Sequence, residues 1–471
     1  MGKYGRLGKN TLLVFGGNAG AKLIGLLMLP FYTSWLSVED YGTTDIINVY
    51  ASLLLGIVTA CISDSIFIFP KGQSVEKQKS YFTSGLFFSI IVIILTAFIF
   101  QIISALYASE PQNSFIKNIW LIYGILVTTF IQQYTQQFSR SIDKIQIYST
   151  SGIILTISTA AFSFLLIPSK GVFGYVFAII ISNLIAAIYT YILTKSYQFT
   201  SFSLIKKEAC YEMLKYSIPL IPNGVMWWIV SSINRPMMES YLGMHSIGIF
   251  AIAAKFPGIL TIVFTIFVTS WQISVLEEFG KKDYSQFFNK IFRLMIVGLI
   301  ILFFMLSSCR KLIITLFTTP EFYEAYKYIP LLLFSVIFSS ISGFVGTTFS
   351  ATRESKYFFL SSIWGAIVSI ISNLVLIPKL GILGAAISVP LSFVAMALSR
   401  IYYGWKYVKI QNIKLYLTMF FICILFILTL SYIQSTLLEI ILISSLITIF
   451  TIINIDLKND VFIFIKKINK K

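Results

Sequence analysis

Leu166-Ile167-Pro168-Ser169-Lys170-Gly171-Val172-Phe173-Gly174 returns about 210 residues later as Leu376-Ile377-Pro378-Lys379-Leu380-Gly381-Ile382-Leu383-Gly384. An earlier pair, at an offset of about 206, aligns Pro30, Leu36 and Gly42 with Pro236, Leu242 and Gly248. Two matches in one order at nearly one offset divide the chain into related halves. Hydrophobic residues make up 57% of it and charged residues 12%, so the solvent these halves are built for is a bilayer. A repeat in the same order within a polytopic chain points to two bundles around a central cavity, and hence to a carrier.

Apolar stretches long enough to cross roughly 30 Å of hydrocarbon recur from end to end, about fourteen in all. Six fall in residues 1–204, including Thr43 to Phe69, Ile147 to Ile167 and Val172 to Thr194. Six more fall in 205–410, including Met213 to Ser240 and Ser246 to Leu276; a further pair lies in 411–471 ahead of a basic tail. The expected architecture is therefore all-α and polytopic, with two six-helix lobes related by a parallel repeat and a C-terminal helix pair. The amino-terminal apolar run is interrupted by Asn18 and Lys22 and has no small-residue cleavage site, so it reads as a retained first helix.

Lysine and arginine fix the orientation, because short loops rich in them stay cytoplasmic. With both termini inside, cytoplasmic segments hold twenty-seven, Arg400 among them, external loops six, Arg310 among them, and the spans Lys22, Arg235 and Lys255. The net charge of +17 is then mostly a topology signal matched to anionic lipid, and nucleic acid is not needed as a partner.

An ionisable group near the bilayer centre costs roughly 2.5 to 3.5 kcal/mol on insertion scales, so it faces a partner or a wet cavity. Lys22 shares a helix face with Asn18. Asn223, Trp227, Ser231 and Arg235 follow at four-residue steps, and Lys255 precedes Phe256-Pro257-Gly258, where a proline can bend the helix. Each cation has a plain reading, snorkelling or pairing with an acid such as Glu239 four residues after Arg235, and a functional one, a cationic cavity for phosphate or diphosphate. Asp45, Asn48, Ser52, Gly56, Thr59 and Ser63 line one expected face of the second helix, as close packing or as a cavity wall. Gln132, Gln133, Gln136 and Gln137 serve interhelical hydrogen bonds or a hydrophilic path. Asp64 and Asp45 are the candidates for ion coupling, although Asp64 lies close to the cytoplasmic end, where pairing with a basic loop is the favoured reading. Trp227 could stack on a sugar ring, although aromatic residues also mark the membrane interface.

Catalytic chemistry finds little support. There is no P-loop, the single histidine is His245, and no Asp-x-Asp motif sits on a substantial loop. The four cysteines are scattered without paired spacing, which suggests neither disulfides nor a metal site. Neither an enzyme nor a cofactor is expected.

The region Asn10 to Gly42, with Lys22, Pro30-Phe31-Tyr32 and Glu39-Asp40-Tyr41-Gly42, and the Leu-Ile-Pro-x-x-Gly-x-x-Gly turn before the sixth and twelfth spans resemble Wzx-type flippases of polysaccharide repeat units. These belong to the multidrug/oligosaccharidyl-lipid/polysaccharide exporter superfamily. The resemblance covers nearly the whole chain. Members of that branch often show twelve helices, whereas about fourteen are expected here, as in the similar lipid II flippases. It implies a MATE-like fold in the bacterial cytoplasmic (inner) membrane. The implied activity is alternating-access transfer of undecaprenyl-diphosphate-linked oligosaccharide to the external leaflet for O-antigen or capsule, driven by an ion gradient or the membrane potential. It also implies meetings with a polysaccharide polymerase and chain-length machinery, and carries the headgroup role onto Lys22 and Arg235, with Lys255 third. A cation-coupled multidrug exporter of the same superfamily, using Asp45 and Asp64, and a non-transporting scaffold are the alternatives.

Overall fold

The structure is a computed structural model that describes residues 24–107, 113–352, 354, 356–432 and 436–454. Every regular element among the described residues is helical, as a backbone in hydrocarbon requires when water cannot satisfy its N–H and C=O groups. In chain order these are α1 (Leu29–Trp35), α2 (Val38–Val58), α3 (Ile62–Ile68), α4 (Val75–Leu106), α5 (Ser114–Lys117), α6 (Ile119–Ser141) and α7 (Ile145–Thr194). There follow α8 (Lys207–Ser217), α9 (Leu220–Ser232), α10 (Asn234–Ala253), α11 (Pro257–Glu278), α12 (Tyr284–Ser308) and α13 (Arg310–Phe317). The last are α14 (Ile329–Ala351), α15 (Lys356–Leu380), α16 (Ile382–Gly404), α17 (Ile413–Tyr432) and α18 (Thr436–Ile453). Among the described residues nine helices are long and apolar enough to cross a membrane, and the 50-residue α7 holds two of the expected spans. This is a multi-pass membrane protein.

The chain forms two compact units, Met1–Ala251 with Leu316–Phe322, and Ile252–Thr315 with Tyr323–Lys471. In the first, Phe82, Phe130, Tyr134 and Phe138 pack with Ile62, Ile66 and Met213 into a dry core. The segment Leu316–Phe322 joins this unit through Thr319, whose N–H and hydroxyl donate to the Thr33 hydroxyl and carbonyl at 3.2 and 3.0 Å. In the second unit α14 is enclosed among α11, α12 and α16. A lipid face shows on α4, where Ile94, Leu95, Phe98 and Ile102 are all exposed.

Both sequence repeats have a backbone cause. Gly171 breaks α7 with φ 52° and ψ −127°, and Gly381 precedes α16 with φ 60° and ψ −135°, a region that only glycine enters cheaply. Three residues on, Gly174 and Gly384 each lie against the backbone of the helix before the turn, at Leu166 and Leu376. The nonapeptide is thus a helix-to-helix corner used twice. Gly381→Ala is expected to cost about 1–3 kcal/mol, read as a lower melting temperature of the detergent-solubilised protein.

The earlier repeat is a crossing in the first unit: Gly42 of α2 lies against the Met244 carbonyl, and Gly248 of α10 against the Val38 carbonyl. Since Val38 and Met244 stand at the same offset as the two glycines, the repeats meet each other reciprocally. Small residues allow such backbone approach.

Several expected spans end differently. The second begins at Val38, because Ser37 accepts from the Asp40 N–H at 3.1 Å and Glu39 and Asp40 fill the positive end of the first turn. It stops at Thr59, where Ala60 and Cys61 take left-handed φ of 50° and 51°, so the expected polar face through Ser63 is cut. The seventh is divided by Pro219 and Ile233 into α8, α9 and the start of α10. The eighth breaks at residues 254–256, ahead of Pro257.

Two arginines read as loop cations are buried instead. Arg310 donates to the Ser307 and Leu430 carbonyls at 3.3 and 3.1 Å, at the C-terminal turns of α12 and α17. A guanidinium there meets both the unsatisfied carbonyls and the negative helix ends. Arg310→Met is expected to destabilise by about 2 kcal/mol, read as a lower melting temperature of the detergent-solubilised protein. Arg400 on α16 donates to the Ser361 hydroxyl and the Ser342 carbonyl at 3.0 and 2.9 Å, and lies 5.1 Å from the Phe358 ring centre.

Candidate functional site

Asp45 lies on α2 just past Gly42, and Arg235 lies in the first part of α10, ahead of a break at Gly243 (φ 77°) that separates it from the Gly248 crossing. One turn past Gly42, the Asp45 carboxylate accepts from Arg235 Nε at 3.3 Å, with side-chain exposures of 16% and 12%. Arg235 Nη1 donates to the Ser231 carbonyl at 2.8 Å and to Asn234 Oδ1 at 3.0 Å. The Phe250 ring covers the guanidinium at 4.8 Å. The ion pair is a single contact, not the bidentate fork that would occupy both ends of the guanidinium. Among the described residues Nη2 forms no hydrogen bond.

A second carboxylate lies one turn along α10. Glu239 accepts from the Tyr50 hydroxyl at 3.1 Å and from the Ser114 N–H at 2.7 Å. Of the plain readings of Arg235, pairing with Glu239 is not the one seen: Glu239 turns to α2 and α5, and Asp45 from the neighbouring helix takes the arginine. Buried Tyr41 is the same-face neighbour of Asp45 and packs on Phe322 at 5.8 Å. Asn234 is buried, and its Nδ2 lacks a partner among the described residues.

The other expected positions are dispersed. Asn48 donates to the Thr44 carbonyl at 2.8 Å and to the Tyr175 hydroxyl at 3.4 Å, so α2 and α7 share it. Gln132 donates to Gln136 at 2.9 Å, and Gln136 to the Tyr148 carbonyl at 3.0 Å, a chain that ties α6 to α7. Trp227 is half-buried on α9, while its neighbour Trp228 donates to the Val49 carbonyl at 3.0 Å. Asp64 is exposed in the first turn of α3. Lys255 is exposed in the turn between α10 and α11, in the second unit, so it is not a mid-helix cation. Asn18 and Lys22 lie outside the described residues.

Sequence reading thus found Asp45 and Arg235 separately and missed their pairing, along with Tyr41, Tyr50, Asn234 and Phe250. One signal was present, and only for Asp45: it lies three residues after the repeated Gly42, whereas Arg235 lies thirteen before Gly248 and beyond the break at Gly243. The arrangement has no nucleophile held by a base, and among the described residues no group of three His, Cys, Asp or Glu could hold a metal. What it offers is one shielded, part-neutralised cation with a donor to spare, next to hydroxyls and amides. That suits recognition of an anion.

Comparison with known proteins follows this geometry. The family described as "Polysaccharide biosynthesis protein" matches residues 7–272. A protein of the Lsg locus of Haemophilus influenzae is 21% identical over 268 residues, 54% of this chain; the match spans 62% of that curated relative's length. Among solved structures, the chain is similar to the lipid II flippase MurJ in an inward closed conformation. The TM-score is 0.70 and the identity 16%, over 95% of this chain and 99% of that one. It is also similar to an inward-facing multidrug resistance MATE family transporter of the MOP superfamily, with a TM-score of 0.59 and 14% identity over 82% and 94% of the two chains. At these identities the likeness establishes the fold, which is MATE-like and all-α.

Proposed function

The chain belongs to the polysaccharide biosynthesis protein family, and from that membership we propose that it is a flippase moving undecaprenyl-diphosphate-linked oligosaccharide from the cytoplasmic to the external leaflet. It works in the bacterial inner membrane with both termini cytoplasmic, and its two repeat lobes, 1–204 and 205–410, alternate access. The observation that carries the reading is Arg235, shielded within the first unit and held to Asp45 through one nitrogen only. A diphosphate oxygen can take the spare donor, because guanidinium and phosphate match in charge and in the direction of their hydrogen bonds.

Asp45 then acts as a counter-ion that keeps Arg235 affordable in the bilayer between cycles. Asn48, Gln132, Gln136 and Trp227 supply the amides and the ring for sugar contacts. Lys22 with Asn18, and Lys255, are further headgroup contacts at other stages of the cycle. Asp64 is the remaining candidate for ion coupling. The polymer made from the product, O-antigen or capsule, requires a polymerase and chain-length machinery as partners on the external side.

The test is transport by purified protein in liposomes under a proton or sodium gradient, comparing a short undecaprenyl-diphosphate oligosaccharide with a fluorescent organic cation. Movement of the lipid-linked sugar alone is expected. Movement of the cation alone would replace this reading with a drug exporter in which Asp45 and Asp64 bind the cargo.

A further inference from the structure

A second polar site lies in the other unit, outside everything assigned above. The first turns of α12 and the segment leading into α17 line an open cavity of about 200 Å³, with Gln286, Asn289, Lys290, Arg293, Asn412 and Tyr416 on its walls. Among the described residues its lining carries two cations and no carboxylate. Arg293 Nε is buried there without a hydrogen-bond partner among the described residues, a costly condition for a charged donor unless something fills the cavity.

The cavity is built before any ligand arrives. Asn289 clamps the two segments together: its Oδ1 accepts from the Gln411 N–H at 2.8 Å, and its Nδ2 donates to the Lys409 and Ser285 carbonyls at 3.0 and 2.8 Å. Asn412 holds a left-handed φ of 56° that turns the chain into α17. Tyr416, one turn later, closes the wall.

Its position identifies the ligand class. Residues 281–293 and 400–414 are basic segments assigned to the cytoplasmic side by the distribution of lysine and arginine. Next to the cavity, α17 exposes Ile413, Leu417 and Phe421 in one row at four-residue steps, a surface made for acyl chains. Basic pockets between spanning helices on that side suit anionic headgroups. We propose that this cavity binds the phosphate of an anionic phospholipid of the cytoplasmic leaflet, with Lys290 and Arg293 on the phosphate oxygens and the acyl chains along α17.

Native mass spectrometry of the full-length protein, titrated with phosphatidylglycerol or phosphatidylcholine, tests this. Phosphatidylglycerol is expected to be retained on the order of tenfold better, the scale set by two cations beside an anionic headgroup. Lys290→Gln with Arg293→Gln should erase that preference, and Arg293→Lys should keep most of it. Equal retention of the two lipids, or an unchanged preference in the double variant, would overturn the proposal. Glycerol 3-phosphate distinguishes a soluble phosphate from a lipid: displacement of phosphatidylglycerol at equal concentration would overturn the lipid assignment, and failure to displace it supports the contribution of the chains. If the double variant does not purify as a single species, Gln286→Glu places a carboxylate on the exposed rim. It should cut the preference comparably, and an intact preference there also counts against the site.

Discussion

Arg235→Leu should abolish transport of the lipid-linked oligosaccharide and also cost up to about 3 kcal/mol of stability, the low end for removing one partner of a shielded ion pair. The stability loss arises because Asp45 would remain within the first unit with its cation gone. Removing both charges separates the two effects. Asp45→Leu with Arg235→Leu should recover most of the melting temperature, since an apolar pair can replace a buried ion pair at little cost, yet remain inactive because the anion has lost its donor. Asp45→Asn, with Arg235 intact, should retain transport. The readouts are the melting temperature in detergent and the initial rate in proteoliposomes. A double leucine variant that transports like the wild type would remove Arg235 from the mechanism.

Gly248→Leu carries the second large effect. A side chain at this position would occupy the space of the Val38 backbone, and backbone cannot rotate aside as a long side chain can. The crossing between α2 and the part of α10 after Gly243 would have to open. Overpacking of this kind costs about 1–3 kcal/mol and occasionally more. Gly42→Leu should behave alike, and the two together should be far from additive, because either alone opens the same crossing. Both are measured as the yield of monodisperse protein and its melting temperature. Normal yield and melting temperature for Gly248→Leu would show that the repeats do not lean on each other here.

These two cases mark what the sequence carried. Hydropathy pointed to an all-helical, multi-pass chain because apolar stretches of this length have few alternatives in a bilayer, and nine helices among the described residues are long and apolar enough to cross one. The nonapeptide repeat was legible as a turn because Gly171 and Gly381 are the residues that such a backbone requires. Helix ends were read less well. Ser37 and its acidic first turn start α2 ahead of the apolar run, and the left-handed pair Ala60 and Cys61 ends it with no glycine or proline to give notice. Arg310 and Arg400 were taken for loop cations because charge alone does not disclose a partner: the carbonyls that satisfy Arg310 lie at the ends of two helices more than a hundred residues apart in sequence.

The site shows the same limit. Asp45 and Arg235 were each legible as an ionisable residue in a span, and each could be assigned a role alone. Their pairing is a contact between two helices far apart in sequence, which single-helix periodicity cannot reach. Local spacing favoured Glu239 as the partner of Arg235, but tertiary contacts with Tyr50 and Ser114 claimed it.

The most direct test of an anion-recognising flippase compares two cargoes with one sugar and one polyprenyl chain, joined either by a diphosphate or by a neutral ether, in proteoliposomes of the wild-type protein. The account predicts that only the diphosphate-linked sugar crosses. Equal rates for the neutral compound would contradict it, since the charge on Arg235 would then have nothing to recognise.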